Sequence, residues 1–165
     1  MRVLGLVLIV ACTTLTGVKL SFNLLRRVKR LEDAINLTGL FAGELRYTMA
    51  PMQGIVARAA QQVSGLSFLA VCAKLCVGGS PFPKAWQQAL TEAPSGLDSE
   101  DIKTLAHLGT VLGAIDLNGA LSELEYATFA LKERHKEAKA KQERLGGLYR
   151  TLGTLTGIGI VIMLM

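Results

Sequence analysis

Two uncharged apolar stretches lie at the two ends of the chain, and they limit what everything between them can fold into. Val3 to Val18 runs 16 residues without a charge (VLGLVLIVACTTLTGV), and Thr151 to Met165 runs 15 (TLGTLTGIGIVIMLM). The hydrocarbon layer of a bilayer takes about 20 helical residues, with roughly 17 as a lower bound. Each stretch falls slightly short, and each gains the missing length if Lys19 or Arg150 draws its charged end out to the headgroups. The sequence therefore predicts an N-terminal transmembrane helix over residues 1–22 and a C-terminal one over 151–165, with a helical-bundle domain over 23–150 between them. For the second stretch the alternative is a buried or interfacial helix.

Charge follows the same division. The whole chain of 165 residues is 50% hydrophobic with a net charge of +5, which suits a membrane protein or a nucleic-acid binder equally well. Position separates the two. Lys19 to Arg46 holds six basic residues against three acidic, and Lys132 to Arg150 holds seven against three. Tyr47 to Leu131 reverses the balance, with four basic and seven acidic. The positive excess thus flanks the apolar stretches on their inner sides, and the positive-inside rule places the middle of the chain in the cytosol. An acidic middle also argues against nucleic acid as a partner. A signal peptide is disfavoured because its basic region would be the single Arg2, with the heavy charge on the wrong side. Ile9-Val10-Ala11-Cys12 is a poor lipoprotein box for the same kind of reason, since only eight residues precede it.

Between the ends, helix signals dominate and no strand pattern stands out. Leu20, Leu24, Val28, Leu31, Ile35, Ala42 and Leu45 recur at helical spacing to about Met49. A proline at position 51 suits a first helical turn, ahead of the apolar face Ile55, Val56, Ala59 and Val63. Leu66 to Cys76 forms a short apolar helix stopped by Gly78-Gly79. Ser80-Pro81 reads as an N-cap and first-turn proline for a helix that carries Phe82, Trp86 and Leu90 and ends before Pro94. Asp98 to Asp101 places acids at the start of the next helix. Asp116 or Asn118 opens the last, which runs unbroken into the second apolar stretch. The expected fold is all-α, a small cytosolic bundle between two terminal membrane-spanning helices. The roughly 80 residues of the middle are marginal alone, so the bundle is expected to lean on its long helices or on partners.

Chemistry-bearing patterns are sparse. Gly78 to Lys84 has glycines and a lysine, but its two prolines remove the backbone donors that a phosphate loop needs. His107 and His135 stand apart, without the one-turn spacing of a zinc site. Ser64, Ser67 and Ser95 are expected in loops without a hydrolase elbow. Cys72 and Cys76 sit one turn apart on an apolar face and read as small buried hydrophobes, with a membrane-bound redox or sensor protein using that pair as the alternative. No catalytic residue, cofactor or metal is expected. Trp86 reads as core. Gly153 and Gly157 form a small-xxx-small pair suited to close helix packing in lipid.

The order of several short motifs resembles the stage III sporulation protein AB family. They are Glu44, Tyr47 and Pro51 in ELRYTMAP, Ala85-Trp86 with Ala89-Leu90, and Leu108-Gly109 with Leu112-Gly113 and Asp116. The last is the junction Leu148-Tyr149-Arg150-Thr151-Leu152-Gly153. Gly146-Gly147, where a lysine commonly precedes the Leu-Tyr-Arg, and Asn118 depart from the family pattern. The resemblance implies a bundle similar to the F-type platform domains of type II secretion systems, and a structural or interface role for the motif residues. It also implies a cytosolic secretion-type ATPase and other membrane proteins of the sporulation complex as partners, with the bilayer itself. The place implied is the mother-cell membrane around the forespore. A platform protein of a type II secretion or pilus system is the nearest alternative, but those usually carry two copies of the bundle and this chain has one.

Overall fold

A computed structural model describes the backbone of every residue except Met1, Met49, Pro94, Ser95, Ile115 and Met165. Side chains are described for all but residues 1–14, 16, 17, 20, 49, 94, 95, 115, 149, 150, 152–154 and 156–165. Six helices account for the described regular structure, with no strand among the described residues. They are α1 (Arg2–Tyr47), α2 (Met52–Gln62), α3 (Ser67–Val77), α4 (Phe82–Glu92), α5 (Ser99–Val111) and α6 (Leu117–Leu164). The chain divides into two compact units, Met1–Val28 with Lys136–Met165, and Lys29–His135. Both terminal apolar stretches are helical in backbone. Most of their side chains, and Gly153 and Gly157 with them, lie outside the described residues. Among the described residues no helix is long and apolar enough to cross a membrane.

In the larger unit the helices end where the local chemistry ends them. After α3 the chain turns on Gly79, whose φ of +88° is a conformation that favours glycine. The turn pairs three backbone donors at once: Gly78 N–H to the Lys74 carbonyl, Gly79 N–H to Cys76, and Ser80 N–H to Leu75, each at 3.0 Å. Pro51 and Pro81 stand one place earlier than the sequence pattern suggests. Each precedes its helix in extended geometry (ψ 142°), and Pro83 is the proline in the first turn of α4. Ser80 is therefore not the cap, and Ser67 opens α3 instead of lying in a loop. At α5, Asp98 and Asp101 close a reciprocal capping box, so each side chain accepts from the other's backbone N–H.

The core of this unit is not confined to the short helices. Leu31, Ala34, Leu37 and Phe41 on α1 are fully buried, as are Leu124 and Leu131 on α6. Their spacing, with the buried Ala127 between the two leucines of α6, is three and four residues and gives each long helix one inward stripe. At the centre sits Trp86 on α4, fully buried, with Phe41, Phe68 and Phe82 around it at ring-centroid distances of 5.8, 5.1 and 5.4 Å. Its indole N–H donates to the Leu105 carbonyl of α5 at 2.7 Å. That approach needs a notch in α5. A Cβ built on Gly109 would overlap the indole, coming within 2.5 Å of its Cγ and Nε1. One turn on, a Cβ on Gly113 would lie 2.5 Å from Cγ of Pro83. Two glycines spaced by four thus receive two ring side chains spaced by three.

Gly109→Ala is expected to destabilise the bundle by about 1–3 kcal/mol through overpacking, and Trp86→Ala by about 3–5 kcal/mol through the cavity it leaves. Because both act on one contact, their double variant should lose clearly less than the sum. Urea unfolding followed by far-UV circular dichroism checks this, and additive losses would contradict the notch.

Candidate functional site

The polar side chains of the larger unit are mostly spent on joining helices. Glu44 near the end of α1 takes Arg58 of α2 in a two-pronged pair, with Nε to Oε1 at 3.0 Å and Nη2 to Oε2 at 2.6 Å. The Thr48 hydroxyl adds a third donor to Oε2 at 2.9 Å. The Arg58 bonds first, then the Thr48 bond, hold the Glu44 carboxyl below its ordinary range. The bidentate geometry strengthens this partly exposed ion pair.

A second join links α5 to α6. Asp101 is fully buried, and its carboxylate accepts from the Asp98 N–H at 3.1 Å and faces Arg134 Nη1 at 3.4 Å. The same guanidinium nitrogen lies 2.6 Å from the Glu100 carbonyl and 2.9 Å from the Thr104 hydroxyl. Arg134 therefore gathers three acceptors on the first turns of α5. Beside it a groove of about 210 Å³ opens between the two helices, with Lys103, His107, Glu123 and Tyr126 in its walls. His107 Nε2 and Glu123 Oε2 are 3.6 Å apart across it. Tyr126 is 67% exposed in its wall, and Phe129, three residues further along α6, is 65% exposed.

Cys72 and Cys76 are buried on α3. Burial, and then the neighbouring Cys76, push the Cys72 thiol up from 9.0 to about 12. A nucleophilic or metal-binding thiol needs the opposite shift. Among the described residues no group of three or more His, Cys, Asp or Glu side chains is placed to hold a metal.

The motif residues separate into four sets. Trp86, Gly109 and Gly113 meet in the core contact described above, where Pro83 joins them. Glu44 anchors the α1–α2 pair, while Tyr47, three residues on, is 84% exposed and takes no part in it. Pro51 and Asp116 are exposed helix starts; Asp116 precedes α6 and its carbonyl accepts from Ala120 N–H at 2.9 Å. The side chains of Tyr149 and Arg150 lie outside the described residues. Sequence reasoning did not single out Arg58, Asp101 with Arg134, or the Thr38–Thr128 contact. The last is a 2.7 Å hydroxyl bond between α1 and α6. The only sequence signal for it was polar residues interrupting two apolar stripes.

Arg134→Met leaves the buried Asp101 charge without its cation and is expected to cost about 3 kcal/mol, with Asp101→Asn restoring part of the loss. For Glu44 the lowered folded-state pKa means its contribution is present at neutral pH and is lost as pH falls through the carboxylate range. The deficit of Glu44→Gln should therefore be measurable at pH 7 and shrink toward zero at acid pH. A pH-independent deficit would show that the pair acts by packing alone.

Over residues 2–165 the chain matches the family described as stage III sporulation protein AB. It is 26% identical over 171 residues to the stage III sporulation protein AB of Bacillus subtilis (strain 168), covering 100% of this chain and 99% of that protein. No solved structure matches it. From its first helix to its last, the chain belongs to the stage III sporulation protein AB family.

Proposed function

We propose that this protein is a non-catalytic, membrane-anchored platform of a secretion-like sporulation complex, coupling a cytosolic ATPase to membrane components. The observation that carries this reading is the continuity of α1 and α6. They are 46 and 48 residues long, and each passes without a break from a packed bundle into a terminal apolar stretch. At about 1.5 Å per residue each helix extends roughly 70 Å, far beyond what a bundle of eleven- to thirteen-residue helices needs. A continuous helix is stiff along its axis, so a push on the bundle reaches the far end of the same helix without a hinge. The terminal stretches anchor in the bilayer, the basic flanks fix the bundle on the cytosolic side, and the bundle resembles the F-type platform domains of type II secretion systems. The groove between α5 and α6, with the exposed Tyr126 in its wall, is the part of the bundle best suited to a protein partner.

Tags at both ends of the chain should be protected from protease added to the cytosolic side of sealed membranes, with the bundle cleaved. Cross-linking from sporulating cells should recover the cognate secretion-type ATPase with this protein. Accessible tags would remove the anchored topology, and a cross-linked set without an ATPase would remove the coupling role.

A further inference from the structure

One face of α1 continues apolar beyond the point where the uncharged stretch stops. Leu15, Lys19, Phe22 and Arg26 follow at spacings of four, three and four, which puts them on one side of a helix, with Leu25 beside them. All five are exposed, and the apolar three strongly so: Leu15 67%, Phe22 50% and Leu25 46%. The opposite side is closed, since Ser21 is buried and lies against α6, with a Cβ on Gly146 falling 3.5 Å from its hydroxyl. At that level α6 exposes Leu148 and Arg144. No carboxylate occurs in α1 between Lys19 and Leu31; the next are Glu32 and Asp33, and Asp33 lies 3.8 Å from Arg30.

An exposed ring and two exposed leucines interleaved with the exposed bases Lys19 and Arg26 match one environment. The boundary of a bilayer leaflet offers acyl chains and phosphates within about 5–10 Å of each other. Arg26 is seven residues from Lys19, about 10 Å along the helix. We propose that this face of α1 is a lipid-contact surface. Phe22 and Leu25 rest at the acyl–headgroup boundary, and Lys19 and Arg26 hold the phosphates of anionic phospholipids. Leu148 and Arg144 continue the belt on α6. The proposal rests on the anchored topology and deepens it. It carries the membrane boundary past Lys19 to Arg26, and it makes the leaflet's charge part of the site.

The test uses the full chain reconstituted in vesicles, with tryptophan introduced at Leu15 or Phe22 and the buried Trp86 as constant background. Lipids brominated near the headgroup end of their chains report contact by quenching. Leu15→Trp reports the anchored topology alone. Phe22→Trp should also be quenched, and at least about twofold more by brominated phosphatidylglycerol than by brominated phosphatidylcholine, given roughly 1 kcal/mol per basic residue near an anionic surface. Lys19→Gln with Arg26→Gln should bring that ratio most of the way to one, Arg144 keeping the rest. Quenching at position 15 but not 22 overturns the proposal and leaves the topology standing, whether a second copy or another protein covers the face. Equal quenching by the two lipids, or a ratio unchanged by the double substitution, overturns the role of anionic phosphate. No quenching at either position overturns topology and proposal together.

Discussion

The larger unit depends on the fit of one indole into one helix. Trp86 touches rings from α1, α3 and its own α4, and its N–H ends on a carbonyl of α5, so four helices share a single side chain. The Leu105 carbonyl it reaches already points along α5 toward residue 109, where any side chain would cover it. Glycine at that position opens the acceptor and lowers the indole into van der Waals contact in one step. With one Trp among 165 residues and 5% aromatic content, the core has no second hub of that size. Most of the other buried side chains are aliphatic.

What was legible in the sequence was punctuation and periodicity. Gly78-Gly79, the acids from Asp98 to Asp101 and the apolar stripes mark helices whose ends depend on a few neighbouring residues. Such local rules can be read without knowing the fold. The prolines were misplaced by one position because a proline is tolerated both just before a helix and in its first turn, and only the ψ angle of 142° tells them apart. The Leu-Gly-x-x-Leu-Gly pattern was visible, but its reason was not, because the ring that fills the notch lies 23 residues earlier in the chain. Glu44 with Arg58, and Asp101 with Arg134, were hidden for the same reason. An ion pair is chosen by which helices meet, and charge patterns along one helix carry no record of that choice. The bundle did draw on its long helices, as its small size suggested.

These features give the polar residues a common character. Asp101, Glu44, Thr38 and Arg134 each serve to hold one helix to another, and the two buried thiols sit in apolar packing. Ionisable groups used this way are joints. Facing outward, the larger unit carries the α5–α6 groove with Tyr126 in its wall.

Thr38 is fully buried and meets Thr128 hydroxyl to hydroxyl, where every neighbouring position on both stripes is apolar. A polar pair in such a seam gives α1 and α6 a keyed alignment. Sliding one helix by a turn, about 5.4 Å, would break that bond and leave Thr38 only the Ile35 carbonyl and Thr128 only the Leu124 carbonyl of its own helix. Intermediate offsets are worse, because neither the knobs nor the hydroxyls then find a seat. Creep of one long helix past the other within this unit is therefore suppressed. Within this unit the pair marks the one register of α1 and α6 in which the two hydroxyls meet.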